Sequence, residues 1–242
     1  MKLGIQVSSL KPLLLTRAQV EESCKQMRAL GIDTVQLQWI DPSVEISHIA
    51  ASLKNNGLQS VSVQDFYEAV ERNFEYYVNL NAATGGTWLC VSRIPEELKS
   101  KEGLDAFVRK LKAMEAQLPP GQKLCLHPVT GDFRAVEGMD AVAYILEQYP
   151  TLDICFDLYH LYRCCSDMPA YLRRYKDRIC MVHFKDAVGN TLVPAGQGEV
   201  NWEGVMDACR ECHVPYGFVE QETWAKDPYE CLKEALDWAK KQ

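Results

Sequence analysis

Short runs of consecutive apolar residues alternate along this chain with longer stretches in which apolar residues recur every three or four positions. The first kind fits strands buried on both faces, and the second fits amphipathic helices. The predicted strands are Leu3–Val7, Thr34–Trp39, Leu58–Val63, Thr87–Val91, Lys123–Leu126, Leu152–Phe156, Arg178–Phe184 and Tyr216–Val219. Between them fall the predicted helices. Thr16 caps the first, whose apolar face is Val20, Cys24, Met27 and Leu30, and Gly31 ends it. Asp41-Pro42-Ser43 opens the second, which runs to Asn56-Gly57, and a third ends near Gly85-Gly86. Pro95 starts a fourth, which stops before Pro119-Pro120-Gly121. The remaining helices are predicted over Met139–Gln148, Pro169–Tyr175, Trp202–Cys212 and Pro228–Lys241.

Strict strand–helix alternation predicts a parallel sheet with helical crossovers. Eight units with no spare element favour a closed (β/α)8 TIM barrel over an open, doubly wound sheet. The first strand is followed by Ser8-Ser9-Leu10-Lys11-Pro12, which lacks the glycine-rich phosphate loop an open nucleotide-binding sheet carries there. The 242 residues allow about 30 for each unit, the size of one strand plus its helix. No stretch reads as a linker, so residues 1–242 are predicted to form one α/β barrel domain.

Composition narrows the function. With 47% hydrophobic and 24% charged residues the chain has globular composition. A net charge of −7 argues against binding a phosphate backbone, so no nucleic-acid partner is expected. No apolar run approaches the roughly 20 residues of a membrane span. Gln6, Ser8, Ser9 and Lys11 interrupt the apolar start where a secretion signal would need a continuous core. A cytoplasmic location is expected, and with it reduced thiols for the ten cysteines. Cys209-x-x-Cys212 with His213 has the look of a metal fragment, but it has no second pair and falls on a helical pattern, so packing is the expected role.

In a barrel of this kind the chemistry sits at the C-terminal ends of the strands. Four consecutive strands end on polar residues: His127, Asp157, His183 and Glu220. Neighbouring strands lie about 4.8 Å apart, so these ends can meet in one small volume. Two imidazoles and two carboxylates form a mixed nitrogen–oxygen set. It suits one divalent ion, with Mn, Zn or Co favoured over Mg.

Around these positions the chain resembles a known family. Phe156-Asp157-Leu158-Tyr159-His160, Val182-His183-Phe184-Lys185-Asp186, Gly196-Gln197-Gly198-Glu199-Val200-Asn201-Trp202 and Val219-Glu220-Gln221-Glu222 are similar to segments of the sugar phosphate isomerase/epimerase family, the xylose-isomerase-like barrels. Leu3-Gly4-Ile5-Gln6 and Leu30-Gly31-Ile32-Asp33 resemble it too, and the likeness runs over nearly the whole chain. The family includes ketose epimerases, sugar isomerases, inosose dehydratases, dehydroshikimate dehydratases and apurinic endonucleases. The resemblance implies one divalent metal, with Asp157, His183 and Glu220 at ligand positions. It also implies that His160 contacts substrate as the histidine of a D-x-x-H motif, and that Lys185 and Arg163 are candidates to hold substrate oxygens. The family's epimerases carry a Glu at the end of strand 5, and this chain has Leu126-His127-Pro128 there. A subset of relatives has a His at that point followed by a Glu-Phe pair, for which Asp132-Phe133 stands here.

The chemistry these groups offer is proton abstraction beside a carbonyl. Glu220 is the candidate base, with His127 or His160 as the acid on the opposite face. Reprotonation of the same carbon gives epimerisation, reprotonation of the next gives isomerisation, and loss of a β-hydroxyl gives dehydration. The expected function is thus a metal-dependent isomerase or epimerase of a small sugar or polyol. The alternatives are an inosose-dehydratase-like lyase on a keto-polyol and a sugar-binding barrel with reduced catalysis. Glu222 and Trp39 are further substrate-binding candidates, with Phe66, Tyr159, Tyr162 and Trp224 as aromatic walls and Arg93 and Arg134 as anion contacts. An apurinic endonuclease needs a three-metal cluster and a basic face, which five His and an acidic chain do not supply. The barrel is short, which leaves little for large lids and leaves a homo-oligomer open.

Overall fold

Each apolar run forms a strand, and the eight strands close on themselves. The computed structural model describes residues 1–242. The barrel strands are β1 (Lys2–Gln6), β2 (Thr34–Leu37), β3 (Gln59–Phe66), β4 (Trp88–Ser92), β5 (Lys123–His127), β6 (Asp153–Asp157), β7 (Ile179–Phe184) and β8 (Tyr216–Val219). All neighbours pair in parallel, and β8 closes onto β1 with Lys2 opposite Tyr216 and Ile5 opposite Val219. The helices are α1 (Arg17–Ala29), α2 (Ile46–Asn55), α3 (Tyr67–Arg72), α4 (Phe74–Thr84), α5 (Lys101–Glu115), α6 (Ala141–Gln148), α7 (Leu158–Tyr162), α8 (Met168–Arg174), α9 (Val205–Glu211) and α10 (Pro228–Ala239). No helix is long and apolar enough to cross a membrane.

Side chains alternate across each strand. One set, including Val35, Leu89, Leu124, Ile154, Val182 and Val219, packs outward in the apolar layer shared with the helices. The other set fills the barrel. Its middle layer is Val61, Cys90, Cys125, Cys155, Cys180, Met181 and Phe218, with Trp88 and Tyr216 packed against it. All ten cysteines are free thiols. Cys209 and Cys212 are buried in the packing of α9, while His213 is exposed, and the three form no metal-ligating cluster.

Several helices start later than their sequence signals predict. Asp41 closes a turn by accepting from the Ser43 amide at 2.9 Å, and α2 begins only at Ile46. Pro95 leads a short 3-10 turn, and Ser100 caps α5 by accepting from Gly103 at 3.0 Å. Asp140 caps α6, so the predicted helix at Met139 begins at Ala141, after a small hairpin that pairs Ala135–Val136 with Met139–Asp140. The crossovers after β3 and β6 each hold two helices instead of one. The loop after β7 holds a hairpin, Asp186–Val188 with Thr191–Val193.

Asp186 fixes that last loop. Its buried carboxylate accepts from the amides of Ala187 (2.9 Å), Gly196 (3.0 Å), Gly198 (3.1 Å) and Val200 (3.1 Å), and from the Trp202 indole (3.1 Å). The glycine-rich segment therefore wraps a carboxylate of its own chain. Gly196 has φ +85, and a Cβ there would strike Trp238, while a Cβ on Gly198 would strike Asp186. Asp186→Ala leaves these buried donors without an acceptor and is expected to destabilise the fold by about 3 kcal/mol. Urea unfolding measures this, and a loss under about 1 kcal/mol would contradict the role given to Asp186.

Candidate active site

His127, Asp157 and His183 end or nearly end β5, β6 and β7, and Glu220 follows β8 directly. The register sets Asp157 opposite His183. All four side chains are buried, and one ligand atom from each lies within 4.8 Å of the others. His127 Nε2 is 3.2 Å from His183 Nδ1, and His183 Nδ1 is 3.0 Å from Glu220 Oε2. Donors around one divalent ion at about 2.0–2.2 Å stand at similar separations from one another.

The outer atoms of the four groups are held from behind. Asp157 Oδ1 accepts from the amides of Tyr159 (2.9 Å) and His160 (3.1 Å), so it caps α7. The Ser8 hydroxyl donates to Glu220 Oε1 at 3.0 Å. Ser92 Oγ meets His127 Nδ1 at 2.9 Å. Gln36 Oε1 accepts from His183 Nε2 at 2.6 Å and from Gln6 Nε2 at 3.1 Å. The inner oxygens, Asp157 Oδ2 and Glu220 Oε2, are buried with no hydrogen-bond donor. The His183–Glu220 approach has ion-pair distance without hydrogen-bond alignment. Buried carboxylate oxygens normally have partners, so a pair of orphans facing two imidazoles fits a cation site.

Electrostatics agree with that arrangement. Burial holds His127 well below its ordinary pKa, with His183 adding to the effect, so its imidazole is neutral. Burial also pushes His183 down, but the Glu220 and Asp157 carboxylates outweigh it and leave its pKa raised. For Glu220, burial is outweighed by Lys185 and His183, and its carboxyl stays well below the usual range. Glu222 is raised by burial and by the Glu220 charge. Lys185 stands at the edge of the cluster, 2.6 Å from Glu222 Oε1, 3.8 Å from Glu220 Oε2 and 3.9 Å from Asp157 Oδ2. The nearby carboxylates more than offset its burial and keep it charged.

His160 also reaches the cluster. Its Nε2 is 3.7 Å from Asp157 Oδ2 and its Nδ1 is 2.8 Å from Thr130 Oγ1. Burial lowers its pKa, against the pull of Asp157. Arg163 is placed elsewhere: its guanidinium lies over the Tyr159 ring and donates to the Tyr159 hydroxyl at 3.1 Å, on the exposed end of α7. Arg93 pairs with Glu68, and Arg134 is exposed. Asp132 is buried, where it closes its own turn on the Val129 amide and pairs with Lys99. Trp224 donates to the Gln221 carbonyl.

Trp39 stands apart from the four-residue cluster. It has a left-handed φ of +56, its indole donates to Asp65 at 3.3 Å, and Lys11 lies over its ring. It lines a cavity of about 580 Å³ with Gln38, Gln64, Asp41, Tyr76 and Tyr77. Gln38 and Gln64 are also links in an amide chain, Gln64 to Gln38 and Gln36 to Gln64, that ends on His183. A cavity of about 630 Å³ lies at the opposite rim, among Lys2, Asp33 and Gln59, away from all of these groups.

The sequence model of the xylose isomerase-like TIM barrel family matches residues 15–242. The chain belongs to that family. No curated protein sequence matches it at a significant level. Solved structures that share the fold include a sugar phosphate isomerase/epimerase from Parabacteroides distasonis, with 17% identity and a TM-score of 0.80 over 100% of this chain and 98% of that one. A second is the 3-keto-D-glucoside 4-epimerase YcjR of E. coli, with 19% identity and a TM-score of 0.74 over the whole of both chains. A third is the IolI protein with a bound zinc atom, with 14% identity and a TM-score of 0.76 over 99% of this chain and 96% of that one.

Within this xylose isomerase-like barrel, Gln36, Ser8, Ser92 and Thr130 are site residues that sequence reasoning did not single out. Gln36 matters most, because an amide oxygen on Nε2 fixes which nitrogen of His183 faces the cluster. Gln36→Leu is expected to weaken divalent-ion binding by about 10–100-fold. Competition against a chromophoric chelator measures it, and an unchanged affinity would show that His183 needs no such support.

Proposed function

We propose that this chain is a divalent-metal-dependent isomerase or epimerase of a small sugar or polyol, with His127, Asp157, His183 and Glu220 as the metal ligands. The observation that carries the reading is the pair of buried, unpartnered oxygens, Asp157 Oδ2 and Glu220 Oε2, facing two imidazoles. Manganese, zinc or cobalt suits two nitrogens and two oxygens better than magnesium does. When bound, the ion supplies Lewis-acid stabilisation for the negative charge that develops on an enediolate.

The remaining work falls to the chain. Glu220 takes the proton from the carbon beside the substrate carbonyl, its carboxylate kept ionised by Lys185. His160, whose lowered pKa leaves it a neutral imidazole, relays a proton on the other side, with Thr130 holding its ring through Nδ1. His127 stands where the epimerases carry a second carboxylate. As a buried neutral imidazole it holds the ion without adding charge, which transfers the acid/base duty to Glu220 and His160. Lys185 and Glu222 lie at the edge of the cluster and are positioned to meet substrate hydroxyls, whereas Trp39 takes a sugar face only where Lys11 leaves its ring. Arg163 joins only by leaving Tyr159.

The names of the neighbours, a keto-glucoside epimerase and a sugar phosphate isomerase/epimerase, support the same class of reaction. The test is solvent-deuterium exchange. The manganese-loaded protein is incubated in heavy water with a panel of ketoses and keto-polyols, and proton NMR follows the signal beside each carbonyl. Exchange into at least one member is expected, with the product telling epimerisation, isomerisation and dehydration apart. No exchange into any member would overturn the catalytic reading in favour of a sugar-binding barrel.

A further inference from the structure

One sulfur lies directly beneath the proposed ion. Cys155 Sγ is 3.3 Å from His183 Nε2, and His127, Cys155 and His183 have ligand atoms all within 4.8 Å of one another. Barrel interiors of this fold are mostly filled by bulky branched side chains. Here the layer under the site draws a thiol from each of four successive strands, β4 to β7, at Cys90, Cys125, Cys155 and Cys180. The register pairs Leu126 with Ile154, the residues just before His127 and Cys155 on their strands. A nitrogen and a sulfur bound to one tetrahedral ion, at about 2.0 Å and 2.3 Å, stand roughly 3.5 Å apart.

We propose that His127, His183 and Cys155 form a second, deeper position for a thiophilic divalent ion such as zinc or cadmium. Both imidazoles are shared with the outer position, so the two positions exclude one another. His183 serves the outer position through Nδ1 and the deeper one through Nε2, after Gln36 gives up its hydrogen bond. Hard ions keep to the two carboxylates, and soft ions exchange them for sulfur. Binding in the deeper position releases the Cys155 thiol proton to solvent and moves the His183 proton from Nε2 to Nδ1, where Glu220 Oε2 lies 3.0 Å away; one metal–sulfur and two metal–nitrogen bonds form, with no change of oxidation state. A soft ion seated there leaves Asp157 and Glu220 without a metal, so it acts as an inhibitor of the metal-dependent reaction.

The test is spectroscopic and uses the full chain with Cys164→Ser and Cys165→Ser, which removes the two thiols that reach the surface. Cadmium is titrated while the sulfur-to-metal charge-transfer absorption is followed, and X-ray absorption at the zinc edge counts sulfur neighbours of bound zinc. One sulfur per ion at about 2.3 Å is expected. The charge-transfer band is expected to vanish in Cys155→Ser and to survive in Asp157→Asn. A bound ion with only nitrogen and oxygen neighbours would overturn the deeper position while leaving the outer site intact. A sulfur signal that survives Cys155→Ser would overturn it as well. If Cys155→Ser does not fold, Cys155→Val serves in its place, and the sulfur count on the unsubstituted residue still decides.

Discussion

Glu220→Gln is expected to lower turnover by about a thousandfold, the middle of the range that one positioned proton-transfer group contributes. The substitution keeps the shape of the side chain. Its amide oxygen still accepts from the Ser8 hydroxyl, so local packing is retained. What disappears is the negative charge, and with it the basic oxygen that faces the cluster. Lys185 keeps that carboxylate ionised in the parent protein, and an amide cannot take up a proton at all. Glu220 is also a proposed ligand, so the variant is assayed at saturating manganese to separate lost binding from lost proton transfer. Deuterium exchange should fall together with turnover. A variant that keeps turnover within about tenfold would place the base elsewhere.

Asp157→Asn is expected to remove the tightly bound ion without unfolding the barrel. Asp157 does two jobs with its two oxygens. Oδ1 caps α7 through two backbone amides, and Oδ2 has no hydrogen-bond partner. Asparagine retains the capping oxygen, whereas Asp157→Ala also loses the cap, at about 1 kcal/mol. The parent protein at an ion concentration of 100 times Kd gains about 2.7 kcal/mol of stability, and this gain is expected to vanish in Asp157→Asn. Thermal unfolding with and without manganese measures it.

Acid should weaken the same binding. His183 is the ligand whose pKa lies above its ordinary 6.5, held there by Glu220 and Asp157 against burial. The ion needs it neutral, so affinity rises with pH up to that raised value and falls, by up to about tenfold per unit, as pH drops below it.

How much of this could be read from the chain depends on residue type and position. The barrel follows from the apolar runs, because strands buried on both faces leave an unmistakable pattern and the repeat of one strand plus one helix sets their number. Asp157, His183, His127 and Glu220 could be read because each is a polar residue that ends such a run. Gln36 was hidden because it lies inside a run. Thr34-Val35-Gln36-Leu37-Gln38 alternates polar and apolar, and the polar set faces a barrel interior that is itself polar near the site. The starts of α2 and α5 differ from their sequence signals for another reason. Asp41 and Pro95 are the residues a helix start favours, but here they close a turn and a 3-10 segment just ahead of it. Arg163 shows the limit of motif spacing. Three residues after His160 its charge falls near the mouth in sequence, yet the Tyr159 ring holds it on the outer surface. The thiol layer was visible only as scattered cysteines until the strand register brought Cys90, Cys125, Cys155 and Cys180 together.

The measurement that most directly tests the account is anomalous X-ray diffraction from crystals of the protein grown with manganese and no chelator. One anomalous peak per chain is expected, bounded by His127 Nε2, Asp157 Oδ2, His183 Nδ1 and Glu220 Oε2 at about 2.0–2.2 Å. An empty cluster under those conditions would contradict it.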